Sequence, residues 1–180
     1  MKTWSLIRHP AQASVAVRSV EARVISYDAQ WLRLRWRIEG TGKLFVPPFA
    51  GRGRQGDLWK TTCFEAFIQP LGGEAYVELN LSPSERWAAW DFSGHRVNVG
   101  DRPLPHEPEC AFRQGSSFAI FDGAVPSVGL PSVECRLGLT AVIEEEGGVV
   151  THWALAHPAN KADFHDAACF VASLPAPGTA

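Results

Sequence analysis

Asp57-Leu58-Trp59-Lys60-Thr61-Thr62-Cys63-Phe64-Glu65-Ala66-Phe67-Ile68 alternates from Phe64 onward, with Phe64, Ala66 and Ile68 in one row and Glu65 and Phe67 in the other. A period of two is the mark of a β-strand, whose successive side chains point to opposite faces. Tyr76-Val77-Glu78-Leu79-Asn80-Leu81 repeats the pattern: Val77, Leu79 and Leu81 form the apolar row, Tyr76, Glu78 and Asn80 the mixed one. Two such strands, paired across the Gly72-Gly73 turn, predict a buried inner face and an exposed outer face on which aromatics and carboxylates lie together. A slip of one residue would reverse every assignment, so the alternation commits Val77, Leu79 and Leu81 to the core and turns Glu78 and Asn80 away from it. Aromatic rings beside carboxylates are the chemistry of a sugar-binding face.

The same period recurs on both sides. Trp31 to Ile38 sets Leu32, Leu34, Trp36 and Ile38 against Arg33, Arg35 and Arg37, a basic row that reads as a solvated outer face. Ser14 to Ile25 is rich in valine, Arg86 to Phe92 and Phe118 to Phe121 are further strand candidates, and Val133 to Ile143 places Val133, Cys135, Leu137, Leu139, Ala141 and Ile143 on one side. Glu144-Glu145-Glu146-Gly147-Gly148 predicts a turn back into Val149 to Ala156, and Ala168 to Leu174 a last strand. No apolar pattern holds a 3.6-residue period over three turns, so at most two short helices are expected, one of them within Asn160 to Ala168. Regular strands between glycine and proline turns predict an all-β, antiparallel β-sandwich. It reads as a single domain over residues 1–180, with its core over about residues 12–174 and the Pro-Ala-Pro-Gly-Thr-Ala ending as a frayed tail.

A chain of 180 residues can bury a sizeable core without metals or staples. With 46% hydrophobic and 20% charged residues it is not a disordered chain, and a net charge of −2 gives no footprint for nucleic acid or an anionic membrane. No apolar run approaches the ~20 residues of a membrane span. The start, Met1 to Pro10, breaks into charge and proline before a signal-peptide pattern develops, so a cytoplasmic location with reduced cysteines is expected. Cys63, Cys110, Cys135 and Cys169 form no CxxC pair and read as small buried hydrophobes. Oligomeric state is not legible.

Leu58-Trp59-x-Thr-Thr-Cys-Phe-Glu-x-Phe67, then Tyr76-x-Glu-x-Asn-x-Ser-Pro-Ser84, then Arg86-Trp87-Ala-Ala-Trp90-x-Phe92, and last His152-Trp153 through His157-Pro158, Lys161, Asp163-Phe164-His165 and Cys169-Phe170, resemble the bacterial DOMON-like domains related to family 9 carbohydrate-binding modules. The likeness runs from about Trp31 to Leu174. It implies a jelly-roll-like sandwich that binds a saccharide or another small ligand; with no catalytic motif in the sequence, a non-catalytic domain without a cofactor is expected. Family 9 modules hold a sugar between two tryptophans, aided by a carboxylate and an arginine. Trp59 matches the first tryptophan, Glu65 the carboxylate and Arg86 the arginine, while Trp153, Trp87 and Trp90 compete for the second tryptophan.

Together these readings place Trp59, Glu65, Glu78 and Arg86 in one pocket, with Trp153 a further candidate and His157, Lys161, Asp163 and His165 at the rim. The rim cluster also admits a metal or a structural corner, but it lacks the His-Glu-x-x-His helix and every cysteine pair. Glu65 and Glu78 can be drawn as a glycosidase pair, and Ser82 or Ser84 with His157 as a hydrolase, yet no G-x-S-x-G elbow is present. Haem is the remaining alternative; the only methionine is Met1, so its axial ligands would have to be histidines. The loop from Pro47 to Gly56 lacks the lysine-serine or lysine-threonine pair of a phosphate loop, and Gly94 to Pro108 reads as one long polar loop.

Overall fold

The alternating runs do form strands in the computed structural model, which describes residues 2–178. In chain order they are β1 (Thr3–Arg8), β2 (Ser19–Tyr27), β3 (Trp31–Glu39), β4 (Gly53–Arg54), β5 (Cys63–Pro70), β6 (Tyr76–Leu81), β7 (Arg86–Gly94), β8 (Val97–Asp101), β9 (Glu109–Gln114), β10 (Phe118–Pro126), β11 (Cys135–Glu145), β12 (Val149–Ala154) and β13 (Ala172–Leu174). Among the described residues the helical content is four 3-10 turns of three residues each, where no more than two short helices were expected; one, Ala167–Cys169, falls at the end of the expected region.

Two layers result. The first runs β1-β2-β3-β10-β9 and the second β4-β7-β6-β5-β11-β12-β1, with β8 added to β7 and β13 to β11. Among the described residues the strands pair antiparallel except at the short β4–β7 contact, with one further parallel bridge between Asp28 and Gly178. β1 belongs to both layers: Thr3 to Leu6 pair with β2, and Ile7 and Arg8 with β12. The inner faces meet in one core, where Leu32, Leu34, Trp36, Ile38 and Phe121 of the first layer pack on Phe64, Ala66, Ile68, Val77, Leu79, Leu81, Leu137 and Leu139 of the second. Phe64 and Phe121 stack across the layers with ring centroids 4.3 Å apart. All four cysteines are free and buried.

Several expectations need correction. β1 lies outside the expected core boundary, and β9 was not foreseen. The expected long loop after Gly94 is a tight turn at His95-Arg96 followed by β8, in which Val97 and Val99 alternate with Asn98 but are both exposed. Residues 14–18 are not strand: the buried Glu145 carboxylate accepts the backbone N–H groups of Val15, Ala16 and Val17 at 2.6–2.9 Å and holds them as a loop. Val133 precedes β11 and is exposed. The C-terminal segment is docked, not frayed, as far as Gly178, whose N–H donates to the Tyr27 carbonyl at 3.0 Å; Thr179 and Ala180, like Met1, lie outside the described residues.

The outer face of the second layer departs most from expectation, because it is covered. β12 ends at Ala154 beside the upper half of β11, and the chain returns as β13 beside the lower half, Cys135 to Leu137. Residues 155–171 bridge that gap across the outer face. Phe164, Cys169 and Phe170 bury themselves there against Cys63, Phe67, Tyr76 and Phe92 in a second apolar cluster. Gly138 makes the close approach possible: a Cβ there would stand 2.7 Å from Phe170 Cδ1. Glu65, Phe67, Glu78 and Asn80 are therefore buried, although they face away from the core as the alternation requires.

Candidate functional site

Strand register sets the floor of the site. One row crosses the outer face as Ala88–Asn80–Glu65–Thr140–Ala154, and the next as Trp90–Glu78–Phe67–Gly138. Alanines end the first row, so its polar centre sits in a trough. A depression of about 700 Å³ opens over it, lined by Trp59, Glu65, Glu78, Asn80, Trp90, Phe92, Arg96, Asn98, Val142, His152, Phe164 and His165 among others. That volume suits a small ligand.

Glu65 and Glu78 are diagonal neighbours on β5 and β6, roughly 7–8 Å apart along the backbone and within side-chain reach. The Thr140 hydroxyl donates to Glu65 Oε2 at 3.2 Å, and Asn80 Nδ2 donates to Glu78 Oε1 at 2.8 Å. Burial, and then the neighbouring Glu78 carboxylate, push Glu65 well above the usual carboxylate range. Burial also raises Glu78, which the Asn80 amide and the Arg96 charge partly offset.

A second network closes one side. Asp163 accepts from Arg96 at 2.8 and 3.1 Å, from His95 Nε2 at 2.9 Å and from the His165 N–H at 3.2 Å. It thereby ties the β7–β8 turn to the covering segment, in spite of the left-handed backbone of Arg96 at φ 58°. The cost of that conformation, of order 1–3 kcal/mol, is met by these contacts. Desolvation opposes the Asp163 charge, but its hydrogen bonds from Arg96 and His95 prevail and hold its carboxyl below the usual range. The Arg96 N–H donates to the Tyr76 hydroxyl at 3.2 Å, which in turn lies 2.7 Å from His165 Nδ1. Burial, then the Arg96 charge, bring His165 down to about 4, so the ring is neutral at pH 7. With Tyr76 donating to Nδ1, the Nε2–H of His165 faces Glu78 Oε2 at 3.8 Å. Gln12 fixes His152 similarly: its Oε1 accepts the His152 backbone N–H at 2.7 Å, which turns its Nε2 donor to His152 Nδ1 at 2.8 Å.

Of the residues read from sequence, Trp59, Glu65, Glu78 and His165 line the depression, and Asp163 stands behind it as the anchor of Arg96. Trp59 sits in a 3-10 turn entered through the left-handed Asp57 and is 51% exposed. Four residues lie elsewhere. Arg86 shares the outer face by parity, but its guanidinium is consumed by the carbonyls of Ala50 at 2.8 Å and Arg52 at 3.4 Å. Trp153 points inward, is 4% exposed, and donates its indole N–H to Thr151 Oγ1. His157 donates Nε2–H to the Ile7 carbonyl at 2.7 Å and packs edge-on against His9. Lys161 is exposed on the covering segment and lies outside the lining. Of the three competing tryptophans Trp90 lines the depression, whereas Trp87 and Trp153 belong to the inner core.

Asn80, Arg96, Asn98 and His152 are lining residues outside the site read from sequence, and Trp90 entered it only as one of three competing tryptophans. Parity could have found Asn80 and Trp90 beside Glu78, and His152 beside the inward Trp153. Among the described residues no group of three or more histidine, cysteine, aspartate or glutamate side chains is placed to hold a metal ion.

No protein-family model matches the sequence, and no curated protein matches it by sequence. Solved structures do resemble it. A protein of Bacteroides uniformis ATCC 8492 proposed to bind carbohydrate superposes with a TM-score of 0.68 at 13% identity, over 97% of this chain and 85% of that one. A family 9 carbohydrate-binding module of Caldicellulosiruptor kristjanssonii, solved with cellotriose, gives 0.59 at 8% identity over 97% and 82%. A family 9 module of the same organism, solved with glucose, gives 0.52 at 6% identity over 86% and 76%. The chain has the fold of family 9 carbohydrate-binding modules.

Proposed function

We propose that this chain is a non-catalytic, DOMON-like saccharide-binding domain whose ligand sits in the depression over β5, β6 and β7. The observation that carries the reading is the meeting of Trp59 and Trp90 with a buried polar floor of Glu65, Glu78 and Asn80 in one trough. Indole faces pack against the C–H face of a pyranose, while carboxylate and amide groups take its hydroxyls. The fold supports the reading, since modules that share it were solved with cellotriose and glucose. The floor favours an uncharged sugar over a sugar phosphate. The Glu78 carboxylate repels phosphate, and Arg96, the arginine in the lining, is taken by Asp163.

Calorimetric titration with glucose, cellobiose, cellotriose and glucose 6-phosphate tests this. Saturable binding of a neutral sugar that weakens in Trp59→Ala and Trp90→Ala is the expected result, with the sugar recovered intact. Absence of binding across neutral mono- and oligosaccharides would remove the reading.

A further inference from the structure

The floor contains a hydrogen-bonding mismatch. Asn80 is 3% exposed, and its Nδ2 faces Glu78 Oε1 at 2.8 Å. That contact sets the amide's orientation and leaves Oδ1 as a buried acceptor with no hydrogen-bond donor among the described residues. A buried acceptor without a donor is costly, and native sheets rarely retain one. Directly across the strand from Asn80 stands Glu65, 2% exposed. The Thr140 hydroxyl serves Glu65 Oε2, and no other donor reaches the carboxyl group among the described residues.

The surrounding charges leave Glu65 without a counter-ion. From the β7–β8 turn Arg96 faces the floor, but it is bound to Asp163 and its field acts on Glu78. His165 of the covering segment and His152 of β12 are both shifted toward the neutral ring, chiefly by burial. Cys63 and Tyr76, on the same two strands as the carboxylates, are held protonated by burial. Asp57 and Lys60 pair with each other. An ionised Glu65 would thus set its charge against Glu78 and against the Asn80 oxygen at once. A protonated Glu65 resolves both conflicts, because its O–H is the missing donor.

We propose that Glu65 is held as a neutral carboxylic acid whose O–H donates to the Asn80 side-chain oxygen, so that the site takes its saccharide only while that proton is in place. Donors then run in one direction, from Thr140 to Glu65, from Glu65 to Asn80 and from Asn80 to Glu78. Glu78 is left as the one anionic acceptor of the pair. Glu65 is a positioning residue: it sets which way the Asn80 amide points beneath the ligand. When Glu65 ionises, Asn80 loses its donor and turns, and the floor no longer presents the same groups. The functional consequence rests on the saccharide reading; the proton itself does not.

Two measurements test this and can fail separately. In protein carrying 13C-labelled glutamate, the Glu65 carboxyl resonance, assigned by its loss in Glu65→Gln, is expected to stay at the protonated position at pH 7 and to move only at alkaline pH. A Glu65 resonance that titrates between about pH 4 and 5, as an ordinary carboxylate does, overturns the inference, as does a neutral-pH proton on Glu78 instead. The second measurement is the pH profile of cellotriose affinity. The parent protein should lose roughly tenfold per pH unit once Glu65 ionises. Glu65→Gln, which supplies an N–H that does not ionise, should show no such alkaline loss. A parent profile that is flat through the Glu65 titration overturns the link to binding. Absence of cellotriose binding at every pH removes the saccharide reading, while the resonance still decides where the proton is.

Discussion

Trp59 and Trp153 look alike in sequence and part company in the structure, and the difference predicts how each responds to truncation. Trp59 is 51% exposed over the depression, whereas Trp153 is 4% exposed in the inner core. Trp59→Ala should weaken saccharide binding by about tenfold or more and leave the melting temperature within about a degree, since it removes a ligand stack and little packing. Trp153→Ala should cost about 3–5 kcal/mol of stability through the cavity it leaves. Calorimetry and thermal melts on the same two variants separate the roles. Asp163 acts through charge. Its folded-state pKa lies below the unfolded one, so its contribution is present above the unfolded value and is lost as pH falls through the folded value. Arg96 is half exposed, so the ion pair is screened, and Asp163→Ala should cost about 1–3 kcal/mol at pH 7. That penalty should shrink on acidification below about pH 4, a dependence that urea melts at several pH values would reveal.

At the scale of elements, the covering segment is the part that makes a site of a sheet face. It carries no sheet pairing over residues 155–171 and is held by Asp163, Phe164 and Phe170. Gly138→Ala, with its Cβ 2.7 Å from Phe170, should lift that ring and destabilise the protein by about 1–3 kcal/mol. Hydrogen exchange should quicken across residues 162–171 while the β5–β6 amides stay protected; unchanged exchange would show that Phe170 tolerates the methyl group. The alternation of β5 and β6 made the inward and outward faces readable from sequence, down to Glu78 and Asn80 turning away from Leu79. It could not tell that the outward face would be covered, because that follows from where β13 rejoins β11, a contact between distant parts of the chain. The same limit explains Arg86: the family resemblance proposed it for the site, but the carbonyls of Ala50 and Arg52 that occupy it belong to a loop with no periodic signal. Arg96 was within reach only as one polar residue among many in a stretch read as loop.

For the molecule as a whole, the division of β1 between the two layers has a consequence for solubility. A sandwich of open sheets has free edges, rows of unpaired N–H and C=O groups that can recruit another chain. Here one strand closes β2 and β12 together, with Thr3 to Leu6 on one and Ile7 and Arg8 on the other. Removing residues 1–8 would expose Val20 to Arg23 of β2 and the Trp153-Ala154 end of β12 in a single step. The shortened protein should retain most of its core yet self-associate, seen as light scattering that grows with concentration, whereas the parent scatters little. β1 buries only Leu6 completely, so it adds little to the core. Its larger effect is on which molecules the sheets can pair with: while it is in place, the β2 edge and the end of β12 are capped by the protein's own first strand.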